Sequence, residues 1–133
     1  MIDFAVIGSG ISGATISNKL NKKYSIKVFE KAKGVGGRSS FKRYKDKVGF
    51  DHGLQYISPR SKEFKWFTKK LIKKRVIKHW TGNHQFLNER VKRNKKHIKL
   101  IGVRGNNDIS KHLLKNVNCN FQSELLKIER QKD

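Results

Sequence analysis

One cysteine, one proline, one methionine and three alanines are all that the 133 residues hold of those types. A lone cysteine, Cys119, excludes an internal disulfide and fits a reducing compartment. A single proline, Pro59, leaves no proline-rich linker, and no internal repeat divides the chain. No stretch reaches the ~20 apolar residues of a membrane span. The opening "MIDFAVIGSG" has neither a basic leader nor a small-residue cleavage site, so no signal peptide is read there. The expectation is one compact, soluble, cytoplasmic domain. Its core is modest, because hydrophobic residues make up 35% and the mean hydropathy is −0.73.

Acidic residues are also scarce. Ten Asp and Glu face 32 Lys and Arg, a net charge of +22 and a pI near 10.4. Such a field attracts any polyanion. The excess is mostly lysine, scattered from Lys19 to Lys132, in a chain rich in Asn and Ile. AT-rich codons alone would give that composition. A solvated lysine surface is therefore favoured over a polyanionic partner, and nucleic acid is not expected as one.

What is present is organised. "DFAVIG" (3–8) is a short apolar run ending in glycine, which suits a strand buried on both faces of a parallel sheet. Residues 11–22 turn to a helical pattern, with Ile16 and Leu20 four apart. "SIKVFE" (25–30) reads as a second strand, completing a βαβ unit. The glycine-rich, basic stretch 33–49 reads as loop, and 50–58 as a short strand broken at Gly53. Ser61 caps a helix to about Arg75, with Phe64, Phe67 and Leu71 on the core face and six lysines on the other. A strand or two is expected within 80–100, with turns at "TGN" and "RNKK". A short Asn- or Asp-capped helix follows at 106–116, and then a strand-like pattern over 118–130.

Residues 8–13, "GSGISG", carry the G-x-G-x-x-G pattern in Gly8, Gly10 and Gly13. The first glycine turns the chain, the second admits a pyrophosphate to the backbone, and the third lets the helix pack closely on the sheet. Amides at the helix start then face the phosphates. Alone the pattern is weak, but a strand precedes it, a helix follows it, and an acid, Glu30, ends the next strand. A carboxylate there accepts both hydroxyls of an adenosine ribose and repels a 2′-phosphate. Shortly after come Gly36, Gly37 and Arg38, a second glycine-rich loop that a simple nicotinamide fold does not need. Arg38 offers a charge-assisted hydrogen bond to the phosphates of a larger cofactor.

With "VIGSGISG", "VFEKAKGVGGRSS" and "FDHGLQYISPR" in this order, the sequence resembles the flavin-containing amine oxidase superfamily. Through "GFDHGLQYISPR" and "KLIGVRGNNDISKHLL" it is similar, within that superfamily, to the renalase-like FAD-dependent oxidoreductases. The resemblance is strongest over residues 1–60 and loose from 76 to 98. It implies an α/β, Rossmann-like FAD-binding domain of the FAD/NAD(P)-binding fold. Gly8, Ser9, Gly10, Ile11, Ser12 and Gly13 would hold the pyrophosphate. Glu30, with Lys31 beside it, would take the ribose, and Gly36, Gly37 and Arg38 would run along the cofactor. Gly53, Leu54, Gln55 and Tyr56 would lie near the flavin ring. A small-molecule reductant, either an isomer of a reduced nicotinamide dinucleotide or an amine, would pass hydride to the flavin, and oxygen would reoxidise it.

Family members are longer and return to the FAD domain through a Gly-Asp motif that completes the sheet. The expectation is therefore an incomplete fold. Residues 1–60 form the dinucleotide-binding core, and 61–133 lead toward a substrate domain that the sequence lacks. A C-terminal half is the implied partner; the chain alone would bind FAD weakly, and its activity alone is in doubt. The alternatives are a non-catalytic or split-gene FAD-binding fragment, or a basic nucleic-acid-binding protein using helix 61–75.

No catalytic residue is assigned. His52 is read as local structure rather than a base. His79, His84, His97, His112 and Cys119 have no metal-ligand spacing, so no metal is expected. Cys119 is read as an inert strand residue, and Trp66 and Trp80 as packing residues.

Overall fold

The computed structural model describes residues 1–45, 48–81 and 98–129. β1 (Phe4–Ile7) leads through α1 (Ile11–Leu20) to β2 (Ile26–Phe29). A single 3-10 turn at Gly37–Ser39 precedes a hairpin of β3 (Phe41–Lys45) and β4 (Val48–Asp51). Then come α2 (Lys62–Lys73), β5 (Ile77–His79), β6 (Leu100–Gly102), α3 (Asp108–Leu113) and β7 (Asn118–Asn120). The strands and turns expected within 80–100 fall mostly outside the described residues, as do His84 and His97.

β2 is the centre of the three-stranded sheet, in the order β1-β2-β7. Both pairings are parallel, with Phe4 opposite Ile26 on one side and Cys119 opposite Val28 on the other. The apolar alternation in β2 follows from that position. Ile26 and Val28 are buried, and Lys27 and Phe29 are half-buried.

β1 differs from expectation. Its run of apolar residues suited burial on both faces, yet only Val6 is half-buried, while Phe4 and Ile7 are exposed. Among the described residues β1 pairs with β2 alone, so its outer edge is open.

Small residues set the packing of α1. Ala14 and Ser17 are its buried positions, whereas Ile16 is exposed. The helix packs against α3, and two asparagines fasten the junction. Asn18 Nδ2 donates to the Leu113 carbonyl at 2.7 Å, and Asn21 Nδ2 to that of Asn116 at 2.8 Å.

The stretch read as loop, 33–49, contains the 3-10 turn and most of the β3–β4 hairpin. β3 is "FKRYK", with four exposed residues after half-buried Phe41, so it lacks the alternation that marks a strand. Phe41 lies directly over Gly49 and Gly105 and anchors the hairpin to the loop before α3. The strand expected over 118–130 ends at Asn120. There Gln122 takes a left-handed φ of 53° and, with Ser123, hydrogen-bonds back to the Ala32 and Glu30 carbonyls. α2 forms where the sequence reading places it, and Ser61 Oγ accepts from Phe64 N at 3.1 Å, but of the expected core face Leu71 is buried and Phe67 half-buried while Phe64 is exposed. At α3 the expected cap fails. Asn107 turns toward the Val35 carbonyl instead, and Asp108 accepts from Arg104 N.

Ile57, Leu71, Ile77 and Leu100 form the part of the core that joins α2 to the β5–β6 pair. Ile57 and Leu100 exchange backbone hydrogen bonds of 2.7 and 2.8 Å. Asn106, fully buried, ties this part to the segment after β4. Its Nδ2 donates to the Leu54 carbonyl at 2.6 Å, its Oδ1 accepts from Gly102 N, and its own N donates to Asp51. Asn106→Ala keeps the backbone bond to Asp51 but leaves the Gly102 amide and the Leu54 carbonyl unpaired. It is expected to destabilise the fold by about 2–4 kcal/mol in urea titrations, comparable to Leu100→Ala, whose cost is a core cavity.

Candidate dinucleotide site

The two glycine loops meet. Gly10 and Gly36 form an isolated parallel bridge, and Gly36 N donates to the Ser9 carbonyl at 3.1 Å. Between the loops lies a cleft of about 510 Å³. One wall is Gly8, Gly10, Ile11, Ser12 and Gly13; the other is Gly36, Gly37, Arg38 and Ser39, with Leu54 and Ile7 at the margins.

Two glycines make this geometry possible. A Cβ on Gly13 would stand 2.0 Å from the Gly8 carbonyl oxygen, so no side chain fits where the helix crosses the strand end. Gly36 has φ of 131°, and a Cβ there would press on Ser40 and Asn107. The start of α1 is bare. Gly10 offers no side-chain cap, and no acid lies in the first turn. Its leading amides therefore present partial positive charge to the cleft, as an anion site requires.

Glu30 stands behind this loop. Its Oε2 accepts from Ser9 N and Ser9 Oγ, each at 2.7 Å, and its Oε1 accepts from Ala32 N at 2.9 Å. Burial pushes the carboxyl up, but the Ser9 hydroxyl, the Ala32 and Ser9 amides and the Lys31 charge together hold it below its ordinary value. Ser9 is fully buried and spends its amide and hydroxyl on Glu30. It shapes the loop from inside rather than lining the cleft. With three bonds accepted, Glu30 keeps about one lone-pair site of roughly four. In this conformation that suffices for one ribose hydroxyl, where the sequence pattern had implied two.

Of the other residues singled out, Lys31 is exposed and lies 3.9 Å from Glu124. Leu54 reaches the cleft margin because its N donates to the Arg38 carbonyl at 2.9 Å. Gly53, Gln55 and Tyr56 do not line it. The Tyr56 ring instead meets Trp80, 5.7 Å between centroids, with Lys99 Nζ over it at 4.6 Å. His52 is exposed and shares a 2.9 Å hydrogen bond with Ser40 Oγ. Cys119 is half-buried in β7, and burial pushes its thiol up, away from the reactive thiolate.

Sequence reasoning missed Ser39, which lines the cleft and donates to the Gly36 carbonyl at 2.8 Å. It also missed Asp51 and Asn106, the supports behind Leu54. Ser39 directly follows Arg38 and was legible by adjacency. Asn106 was not, because its partners Asp51, Leu54 and Gln55 lie more than 50 residues away.

Two outcomes follow from the loop geometry. Gly13→Ala should abolish dinucleotide binding, read by titration calorimetry, because the helix start must shift away from the cleft. Because the Glu30 carboxyl is lowered on folding, the stability it adds is present above about pH 4.5 and lost as pH falls through its depressed folded value. Denaturation midpoints at pH 6 and pH 3 should therefore fall less in Glu30→Gln than in the native chain.

Residues 6–71 match the family model described as an NAD(P)-binding Rossmann-like domain. Among curated proteins, an uncharacterized protein of Methanocaldococcus jannaschii, MJ1450, is 52% identical over 54 residues. That match covers 41% of this chain and 14% of the relative. Together with the parallel sheet and the glycine cleft at the β1–α1 junction, these findings give the chain a Rossmann-like fold of the NAD(P)-binding type.

Proposed function

We propose that the chain is the FAD-binding part of an oxidoreductase. The observation that carries this reading is the junction of two glycine loops across one cleft. A nicotinamide dinucleotide needs the first loop only; the second, with Arg38, provides a further wall for a longer cofactor. The pyrophosphate would lie on the amides of residues 10–13, and Arg38, exposed at the rim, would neutralise its charge. Glu30 would accept one adenosine ribose hydroxyl and disfavour a 2′-phosphate. When bound, the flavin would supply acceptance of hydride from an isomer of a reduced nicotinamide dinucleotide or an amine, and its discharge to oxygen.

A second reading, in which the chain is the cofactor-binding piece of a split flavoprotein, is favoured by β1. With Phe4 and Ile7 exposed and its outer edge unpaired among the described residues, β1 offers hydrogen bonds and apolar surface to a complementary strand. On this reading a separate half would raise both cofactor affinity and activity.

The purified chain should take up FAD with the visible bands of a bound flavin, and Glu30→Gln should weaken that binding by about 1–3 kcal/mol. Equal or tighter binding of NAD, with no uptake of FAD, would overturn the flavin assignment while leaving the dinucleotide cleft in place.

A further inference from the structure

Trp66, in the middle of α2, is a residue that the sequence reading assigned to packing. It is 61% exposed. α2 spends Phe67, Thr68 and Leu71 on the core and turns Trp66 outward among its lysines. Lys70 Nζ lies 3.3 Å over the indole ring, holding it in place. Lys70 is not part of the adjoining groove, but Trp66 is.

That groove has a volume of about 960 Å³. Pro59, Thr68 and Leu100, all buried, with half-buried Ile72, make an apolar floor. Exposed Lys62, Lys65 and Lys69 stand with Trp66 on the rim, and Glu63 is the acid among them. Spaced three and four apart, the lysines form a row along the helix, about 5–6 Å between neighbours.

We infer that this groove binds single-stranded polynucleotide, with an unpaired base stacked on Trp66 and successive phosphates on the lysine row. A flat apolar slot beside an indole fits a base, and a ridge of ammonium groups fits a backbone that crosses it. A bilayer fits poorly. An interfacial helix buries a broad apolar face in lipid, and Phe67, Leu71 and Ile72 of α2 are already used by the core. A duplex hides its bases within the stack and leaves Trp66 nothing to face. The site is separate from the dinucleotide cleft and does not rest on the flavin reading.

The test is fluorescence anisotropy of a labelled oligo-dT 12-mer with the full chain, run without and with excess FAD and expected to give the same affinity in both. With three or four phosphates neutralised, log affinity should fall with log salt at a slope of about −2 to −3. Trp66→Ala should weaken binding about 5- to 100-fold at unchanged slope, while Trp66→Phe restores most of it. The pair Lys65→Gln and Lys69→Gln should flatten the slope by about 1.4. Dextran sulfate, a polyanion without bases, should bind both Trp66 variants like the native chain. Three results would overturn the assignment: oligo-dT indifferent to Trp66→Ala, a duplex bound as tightly as the single strand, or anionic phospholipid vesicles bound where oligo-dT is not. The last would give this face to a membrane.

Discussion

The carboxylate of Glu30 holding Ser9 is the contact on which the rest of the site depends. It joins the end of the central strand to the turn between β1 and α1, through one amide and one hydroxyl. Hydrogen bonds to a charged group contribute about 1.5–3 kcal/mol each, more than neutral ones. They also fix the direction of the Ser9 peptide, which in turn presents its carbonyl to Gly36. One ionised side chain thus sets the first glycine loop and, through it, the second. The bare helix start faces the cleft because the turn behind it is already tied down.

The charge of the chain bears on this site less than its size implies. An anion seated at the start of α1 would be held by amides whose position the backbone fixes, and among the described residues Arg38 is the cation that lines the cleft. Most of the 32 basic side chains lie elsewhere. On α2 the logic is reversed, with point charges on flexible stems around one aromatic ring. On these two proposals the surfaces would recognise phosphate by different means, the first by fixed dipoles and the second by counterion release. Salt therefore separates them: it weakens a lysine row steeply and a backbone cradle much less.

The β1–α1–β2 unit was legible because local signals agree there. An apolar run, three glycines at fixed offsets and an acid at the next strand end each carry a geometric demand within about thirty residues. α2 was legible for the same reason, since Ser61 and the apolar face are both local. The hairpin was not, because β3 is held by backbone pairing with β4 and by one half-buried side chain, Phe41, while its remaining side chains are exposed. Exposure was also beyond reach. Nothing in "FAVI" distinguishes an edge strand from a buried one, and nothing in "KWF" says that Trp66 faces away from the core. Both depend on which surfaces the rest of the chain covers. Asn106 is the extreme case, a residue whose whole role lies in partners at positions 51, 54, 55 and 102.

Asn106 also makes the two parts of the chain interdependent. Leu54 stands at the cleft margin through the Arg38 carbonyl, and its own carbonyl is held by Asn106. Asn106 is in turn fixed by Gly102 at the end of β6, whose Leu100 is paired with Ile57. The cleft margin at Leu54 is therefore tied through Asn106 to the core around α2 and β6, while the first glycine loop rests on the sheet. A ligand that binds only when both walls are in place stabilises both, in proportion to the logarithm of its concentration over its dissociation constant. Loosening that part of the core would then weaken dinucleotide binding without touching either glycine loop. For a chain whose first strand keeps an open edge among the described residues, that coupling would make a bound dinucleotide part of what holds the fold together.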